Sequence, residues 1–243
     1  MKRIFDIILS SILLSIFGIP LILISILIWL QDYKSPLYLA PRVSMGGGIF
    51  TMIKLRTMVA NADASKVDST AADDMRITKV GKLVRKFKLD ELAQLINVLN
   101  GSMSFVGPRP QVQRDVNLYT KEEEKILTGK PGITDFSSIV FSDEGDILQG
   151  FEDPDLAYNQ IIRPWKSRLA IFYLNNQSIL LDMKLIMLTV YSFVNKRKTL
   201  KIISNILESL KADIQLVNIV LRDNDLVPTP PPGSLTIVEE RNI

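Results

Sequence analysis

The sequence predicts a mainly helical α+β fold with an N-terminal membrane helix. Two observations support this prediction. Residues 4–30 form an apolar run interrupted only by Asp6 and a few serines. Short extended segments follow up to residue 58, and most of the remaining chain carries apolar residues at helical spacing. The 243 residues are enough for one domain with a hydrophobic core and an appendage.

A helix rises about 1.5 Å per residue, so the apolar run is long enough to cross a hydrocarbon core of about 30 Å. It is too long for the core of a signal peptide, and no A-x-A cleavage site follows it, so we expect it to remain on the mature protein. Asp6 lies close enough to Lys2 and Arg3 to sit at the membrane interface.

Pro20 leaves two membrane topologies open. A proline removes a backbone donor and kinks a helix, so the run can also enter and leave on the same face. Both flanks are weakly basic and do not decide the orientation. From the residues alone a single span is favoured over a re-entrant hairpin, because single-span anchors are common.

Local sequence signals predict the secondary structure that follows the apolar run. A flexible turn at Gly46, Gly47 and Gly48 precedes a strand at residues 49–55. The polar segment 59–75 reads as a mobile loop or a short exposed helix. Thr78 should cap a basic helix that continues through Phe87. A further helix at residues 89–99 should end at Asn100-Gly101.

The remaining chain is predicted to be helical apart from two turns and a tail. Gly107-Pro108-Arg109-Pro110 is a rigid turn, because two prolines fix the backbone around Arg109. A short helix holds residues 122–124, and a longer helical region covers 156–196. Residues 199–222 form an amphipathic stretch that packs against the core or a partner. The proline-rich tail at 228–232 should be extended.

The composition excludes several kinds of catalytic site. The chain has no cysteine and no histidine, which rules out disulfides, thiolate zinc sites, Ser-His triads and histidine-bound metals. Catalysis would have to use carboxylates, lysine, tyrosine, hydroxyl groups or an oxygen-bound metal. The net charge of +3 is small but uneven. Five cations fall within ten residues and form either a solvated helix face or a phosphate-binding surface: Lys79, Lys82, Arg85, Lys86 and Lys88.

The adjacent carboxylates Asp90 and Glu91 are the candidate catalytic pair. At the start of a helix, acidic residues often do no more than stabilise the helix dipole. Cations upstream and downstream favour phosphate chemistry, because cations hold phosphate oxygens and carboxylates hold Mg²⁺ or attack phosphorus. The candidate phosphate-binding residues are Lys54, Arg56, Arg85 and Arg109.

Four ordered motifs resemble the bacterial sugar transferase family, the polyprenyl-phosphate phosphoglycosyl transferases of the small monotopic type. The motifs are KLRTM at 54–58, DMRITKVG at 74–81, LDELAQLINVL at 89–99 and GSMSFVGPRP at 101–110. Any one alone would be weak, but several in register are specific. The resemblance covers roughly residues 1–195.

The resemblance implies specific roles. Asp90 would attack the β-phosphate of a UDP-sugar, expel UMP and carry the sugar phosphate to polyprenyl phosphate. Glu91 would position Mg²⁺ or phosphate, so both carboxylates are candidate metal ligands. Arg85 and Arg109 match phosphate-binding positions, with Pro108 and Pro110 fixing the turn. The product would be a polyprenyl-diphosphate sugar, which starts the assembly of a glycan.

The resemblance also reverses the topology preference, since the family's N-terminal segment is a re-entrant helix broken at the position of Pro20. The domains would be a membrane helix at 1–32, a membrane-surface catalytic domain at 33–198 with amphipathic helices, and a C-terminal helix and tail at 199–243. The site would face the cytoplasm at the bacterial inner membrane, in contact with lipids and without a nucleic-acid partner, and the protein could form a homo-oligomer.

Three departures from the family pattern stand out. Ile19 replaces the polar residue before the helix-breaking proline, and Ala93 replaces a proline after the Asp-Glu-Leu run. Asp135 replaces a glycine and should add charge near the loop that the resemblance assigns to the nucleotide sugar. Two alternatives stay open beside the transferase. One is a membrane-anchored scaffold that binds phosphate or lipid without catalysis, and the other is a hydrolase of polyprenyl diphosphates, which would release phosphate in place of UMP.

Overall fold

A computed structural model describes residues 1–62, 70–71 and 73–240. Its first element is α1 (Lys2–Trp29), which is helical through Pro20. Among the described helices, only α1 is long and apolar enough to cross a membrane, by length and composition. The predicted break into two helices is not seen in this element, and the re-entrant path stays a prediction. Parts of the predicted loop or helix at 59–75, namely 63–69 and 72, lie outside the described residues.

One face of α1 packs on the globular part of the protein, and the opposite face is exposed. Asp6, Ser10 and Ile28 are buried at helical spacing, and Asp6 accepts a hydrogen bond from the backbone N–H of Phe105 at 3.2 Å. Asp6 is therefore held inside the fold and is not simply beside Lys2 and Arg3. The other face leaves a run of apolar side chains exposed: Ile4, Ile8, Ile12, Ile16, Ile19, Leu23 and Leu27.

Both ends of α1 contact the same globular part. At the N-terminal end, Lys2 pairs with Asp182, and Arg3 donates to the backbone carbonyl of Leu99 at 2.7 Å. At the C-terminal end, Ile28 packs in a small cluster with the buried side chains of Leu55 and Val84. Asp32, just after the helix, pairs with Arg56.

The predicted strand is confirmed as part of a hairpin. Strands β1 (Leu37–Val43) and β2 (Ile49–Leu55) are antiparallel, with Leu37 opposite Leu55 and Val43 opposite Ile49. A single 3-10 turn at Met45–Gly47 connects them. Gly46 and Gly47 have φ of 80° and 83°, a conformation that glycine adopts without strain.

The two predicted helices around the carboxylate pair are confirmed. Helix α2 (Lys79–Lys86) is capped by the Thr78 hydroxyl, which accepts from the N–H of Gly81. The next helical segment begins as a 3-10 helix at Leu89–Gln94 and continues as α3 (Leu95–Asn100). It ends at Gly101, whose φ of 90° is the left-handed stop expected from Asn100-Gly101.

A short parallel pair positions the proline-rich turn. Strand β3 (Ser104–Val106) lies beside β4 (Gly132–Thr134). Immediately after β3, Gly107 donates to Thr134 O at 3.0 Å, and Gly132 donates to Pro108 O at 2.9 Å. A β-carbon at Gly132 would lie 2.1 Å from the Gly107 nitrogen, so the two chains approach this closely only with glycine.

Helices form the rest of the fold. The predicted region at 156–196 is divided because Ser178 is extended and caps a new helix. The stretch at 199–222 is likewise two helices. In order the elements are α4 (Gln113–Val116), a 3-10 helix (Glu123–Thr128), α5 (Phe136–Val140), α6 (Glu144–Ile147), α7 (Pro154–Ala157), a π-turn (Tyr158–Ile162), α8 (Arg163–Asn176), α9 (Ile179–Ser192), α10 (Lys196–Ser209) and α11 (Ile214–Leu221).

The C-terminal helices belong to the main hydrophobic core. Leu200, Ile203 and Leu207 of α10 are buried together with Leu216, Val217 and Val220 of α11. Of the two roles predicted for this stretch, packing on the core is the one observed. The domain boundaries at 32 and 198 stay predictions, since the core is continuous across the second of them.

The proline-rich tail lies against the domain without regular secondary structure, and its extended conformation stays a prediction. Thr229 donates its N–H to Gln160 O at 2.9 Å. Arg168 of α8 donates to Pro230 O, also at 2.9 Å. These backbone contacts hold the tail against the domain without a regular element of its own.

Candidate active site

Asp90 and Glu91 lie on the 3-10 helix that precedes α3. Lys88, just before this helix, has a left-handed backbone with φ of 50°, which turns the chain out of α2. Asp90 is 9% exposed. The ammonium of Lys54 on β2 lies 3.8 Å from Asp90 Oδ2 and 3.7 Å from Glu91 Oε1. One cation from the hairpin therefore faces both carboxylates.

Arg109 holds Glu91. Its Nη2 donates to Glu91 Oε1 in a short ion pair, and its Nη1 lies 3.4 Å from the carbonyl of Ile133 on β4. The close contact between Gly107 and Gly132 fixes where the turn leaves β3, and Pro108 and Pro110 restrict the backbone on either side of Arg109. The turn thus aims one guanidinium at Glu91.

Arg85 reaches the site from α2. Its Nε donates to the hydroxyl of Thr57 at 2.8 Å. Thr57 is itself buried, and its carbonyl accepts from Thr78 N at 3.0 Å. A β-carbon at Gly81 would lie 1.9 Å from that carbonyl, so α2 approaches the end of β2 only with glycine here. Burial lowers the pKa of the Arg85 guanidinium, and the negative charge of Asp90 partly offsets this effect.

Arg56 is engaged elsewhere. Both of its terminal nitrogens donate to the carboxylate of Asp32, at 2.7 and 2.6 Å. This bidentate pair lowers the pKa of Asp32 to about 2. Of the four cations proposed from the sequence, Lys54, Arg85 and Arg109 surround the carboxylate pair, whereas Arg56 secures the segment that follows α1. Its predicted phosphate-binding role stays a prediction.

The two carboxylates differ in their electrostatic state. Burial raises the pKa of Asp90, more than Lys54 lowers it, and the charge of Glu91 adds to the rise. Burial also acts to raise the pKa of Glu91, but Arg109, Lys54 and Lys88 outweigh it and lower the pKa to about 2. Glu91 is therefore firmly ionised, while Asp90 is the more basic carboxylate.

The two carboxylates also differ in their hydrogen bonds. Glu91 is tied to Arg109, whereas Asp90 accepts no side-chain or backbone hydrogen bond from the described residues, its nearest cation being Lys54 at 3.8 Å. A carboxylate in this state keeps its lone pairs for a ligand or an electrophile. The arrangement supplies one fixed carboxylate and one available carboxylate side by side.

The donor set fits Mg²⁺ held partly by a substrate. No group of three acidic, histidine or cysteine side chains that could hold a metal occurs within the described ranges. Mg²⁺ is usually bound by one or two carboxylates together with waters and phosphate oxygens. Asp90 and Glu91 could provide those carboxylates, but the two alone would not form a complete protein cage.

The sequence reasoning missed one contributor and misplaced another residue. Thr57 was not singled out, although it falls inside the KLRTM motif. Asp135 was expected to add charge to a substrate loop. It is fully buried, and its carboxylate caps α5 by accepting from Ser137 Oγ at 2.8 Å and Ser138 N at 2.7 Å.

These features define the class of the protein. Asp90 and Glu91 face the cations Lys54, Arg85 and Arg109, on a domain that carries an exposed apolar helix. The model of the bacterial sugar transferase family matches residues 1–196. The chain belongs to this family and is a transferase.

Relatives with known names support the assignment. The uncharacterized sugar transferase EpsL of Bacillus subtilis is 34% identical over 191 residues, covering 78% of this chain and 85% of the relative. The UDP-glucose:undecaprenyl-phosphate glucose-1-phosphate transferase of Caulobacter vibrioides is 31% identical over 196 residues, covering 79% and 69%. A protein of the same name from Klebsiella pneumoniae is 34% identical over 207 residues, covering 80% of this chain but 40% of the relative.

Proposed function

We propose that this protein transfers a sugar 1-phosphate from a UDP-sugar to polyprenyl phosphate and releases UMP, the first step in assembling a glycan on a lipid. The observation that carries the proposal is the unequal carboxylate pair, with Glu91 held by Arg109 and Asp90 free of hydrogen bonds from the described residues. The names of the Caulobacter and Klebsiella relatives, UDP-glucose:undecaprenyl-phosphate glucose-1-phosphate transferases, support the same donor and acceptor classes.

The chemistry assigns different tasks to the two carboxylates. An oxygen of Asp90 attacks the β-phosphorus of the UDP-sugar, the bond from that phosphorus to the bridging oxygen breaks, and UMP leaves. An oxygen of polyprenyl phosphate then attacks the same phosphorus and releases Asp90. Lys54, Arg85 and Arg109 stabilise the phosphate oxygens. Mg²⁺ held by Asp90, Glu91 and the diphosphate would neutralise negative charge on the leaving UMP.

A UMP-release assay tests the reaction class and the donor together. Full-length protein in detergent should release UMP when it receives polyprenyl phosphate, Mg²⁺ and the correct member of a panel of UDP-sugars. Omitting polyprenyl phosphate should limit release to at most one UMP per chain, because Asp90 can then react only once. A folded protein that releases no UMP with any donor, or one that releases inorganic phosphate, would refute the transferase proposal.

We also propose that α1 enters the membrane and returns on the same side, at the cytoplasmic face of the bacterial inner membrane. The pairs Lys2–Asp182 and Arg56–Asp32 support this, since they attach both ends of α1 to one globular part. The exposed apolar face of α1 would then lie in lipid. A spanning helix would carry one of its ends away from the domain.

Cysteine labelling tests this topology, and the chain has no cysteine of its own. Single cysteines are placed directly after Met1, at Lys34→Cys and, as the marker of the globular part, at the exposed Lys201→Cys. In sealed vesicles a membrane-impermeant maleimide should label all three from the same side. Labelling of the first two positions from opposite sides would establish a spanning helix instead.

A further inference from the structure

We propose that a cavity at the N-terminal end of α1 binds the phosphate group of a membrane lipid, at a site separate from Asp90 and Glu91. The cavity has a volume of about 200 Å³. A cavity needs about 10–15 Å³ to hold one water molecule, so this cavity has room for a phosphate group together with bound water. Nine residues line it, and the polar ones that matter here are Lys2, Arg3, Asp6, Ser104, Lys130 and Tyr173.

The cavity carries excess positive charge. The ammonium of Lys2 pairs with Asp182 and donates to Tyr173 Oη at 3.0 Å. Arg3 instead donates to backbone carbonyls at the end of α3, which carry no full charge. Lys130 forms no ion pair with any residue in the described ranges. The lining thus carries three positive charges and the negative charge of Asp6, and Asp182 outside the lining neutralises Lys2. One positive charge remains for an anion.

Ser104 provides a second, independent indication of a ligand. This residue is fully buried, it lines the cavity, and its hydroxyl has no hydrogen-bond partner within the described structure. Buried polar side chains in folded proteins nearly always have a partner. A phosphate oxygen in the cavity would supply the missing acceptor, so the serine is explained by a bound anion rather than by the packing of the protein.

The surroundings favour a lipid as the source of the phosphate. On one flank, Ile4 follows the lining residues Lys2 and Arg3 and is 64% exposed. On the other flank, Leu180 follows the lining residue Gln177 by three positions and is equally exposed, at 64%. Bare apolar side chains beside a cationic cavity match a molecule with acyl chains attached to a phosphate. None of the side chains that hold Asp90 and Glu91 lines the cavity.

Short-chain lipids allow the site to be measured in the full-length protein. Dioctanoylphosphatidylglycerol is titrated into detergent-solubilised protein, and binding is followed by native mass spectrometry and by the melting temperature. We expect one lipid per chain and a rise in melting temperature. Lys130→Gln should weaken binding at least about tenfold, since it removes the unpaired cation. Lys201→Gln removes the same charge from an exposed position on α10 and should bind as the wild type does.

Ser104→Ala separates a ligand-binding serine from a structural one. Without lipid its melting temperature should equal or exceed that of the wild type, because a buried unpaired hydroxyl is removed. With lipid, its rise in melting temperature should be smaller than that of the wild type. A lower melting temperature without lipid, together with an unchanged response to lipid, would make the serine purely structural and remove this support.

Two further ligands test whether the cavity recognises the phosphate group, the acyl chains or both. Dioctanoylglycerol has the acyl chains without the phosphate, and inorganic phosphate has the anion without the chains, so both should bind at least about tenfold more weakly than the phospholipid. Equal binding of dioctanoylglycerol would overturn the phosphate site, and equal binding of inorganic phosphate would overturn the assignment to a lipid. Wild-type affinity in Lys130→Gln would overturn the proposal as a whole.

Discussion

Asp90→Asn should lower UMP release by at least about three orders of magnitude while the protein remains folded. The amide is nearly the same size as the carboxylate but does not attack phosphorus, so the covalent route is lost. A thousandfold loss corresponds to about 4 kcal/mol of transition-state stabilisation. The measurement is the initial rate of UMP release under saturating UDP-sugar and polyprenyl phosphate, with circular dichroism as the check on folding.

Mass spectrometry identifies the step that the substitution removes. With UDP-sugar alone, the intact wild-type protein should gain the mass of a sugar phosphate on the peptide that contains Asp90, and Asp90→Asn should gain nothing. Turnover without an adduct on the wild type would favour direct transfer in a ternary complex. Full UMP release by Asp90→Asn would show that Asp90 is not the nucleophile. The scaffold alternative, in which the site binds phosphate or lipid without catalysis, predicts no UMP release from the wild type either.

Glu91→Gln is the matched control for the neighbouring carboxylate. Glu91 is tied to Arg109 and positions charge rather than forming a bond in the proposed reaction. Its replacement should cost about 10- to 100-fold in rate, in the range of other positioning groups, and should leave the adduct detectable. Equal losses for the two variants would mean that the carboxylates act as a unit and that their roles cannot be separated.

Arg163→Met should destabilise the protein by about 3–5 kcal/mol, because it leaves the charge of Glu123 buried without a partner. Glu123 and Arg163 are 0% and 1% exposed, and Arg163 Nη1 lies 2.9 Å from both carboxylate oxygens. Ser167 also donates to Glu123, at 2.7 Å. The pair joins the 3-10 helix at Glu123–Thr128 to the start of α8. Denaturant unfolding of the detergent-solubilised protein measures the loss.

Two comparisons separate the buried charge from the lost contact. The double variant Glu123→Gln with Arg163→Met should be less destabilised than Arg163→Met alone, since no unpaired charge remains. Lys125→Met, on the same 3-10 helix, breaks the exposed pair with the preceding residue Glu122 and should cost less than about 1 kcal/mol. If Arg163→Met loses no more stability than Lys125→Met, water must reach the Glu123 carboxylate when Arg163 is replaced.

Local chemistry explains what could be predicted from the sequence. The hydroxyl of Thr78 and the glycine at 101 determine the ends of their helices within four residues, and the glycine turn followed by an apolar run indicates β2. Asp90 and Glu91 stood out because histidine and cysteine are absent and cations flank them. Such signals depend on neighbours in the chain, so they can be read before the fold is known.

Long-range contacts explain what could not be predicted. Arg56 is next but one to Lys54, yet Asp32, 24 positions away, binds its guanidinium. Asp135 resembled a surface charge in a loop, but burial and two serines make it a helix cap. Glu123 appeared in a run of three glutamates, and only its contact with Arg163, 40 positions later, explains why it is buried. None of these partners is encoded by local spacing.

The attachment of both ends of α1 to one globular part also limits what the protein can do to a bilayer. Lys2 and Asp32 pair with side chains of that part, so under the proposed same-side topology α1 would reach only the near leaflet. The lipid acceptor would be drawn from that leaflet, and the sugar-bearing product would return to it. Glycans destined for the far side of the membrane would therefore depend on a separate protein that moves the lipid across.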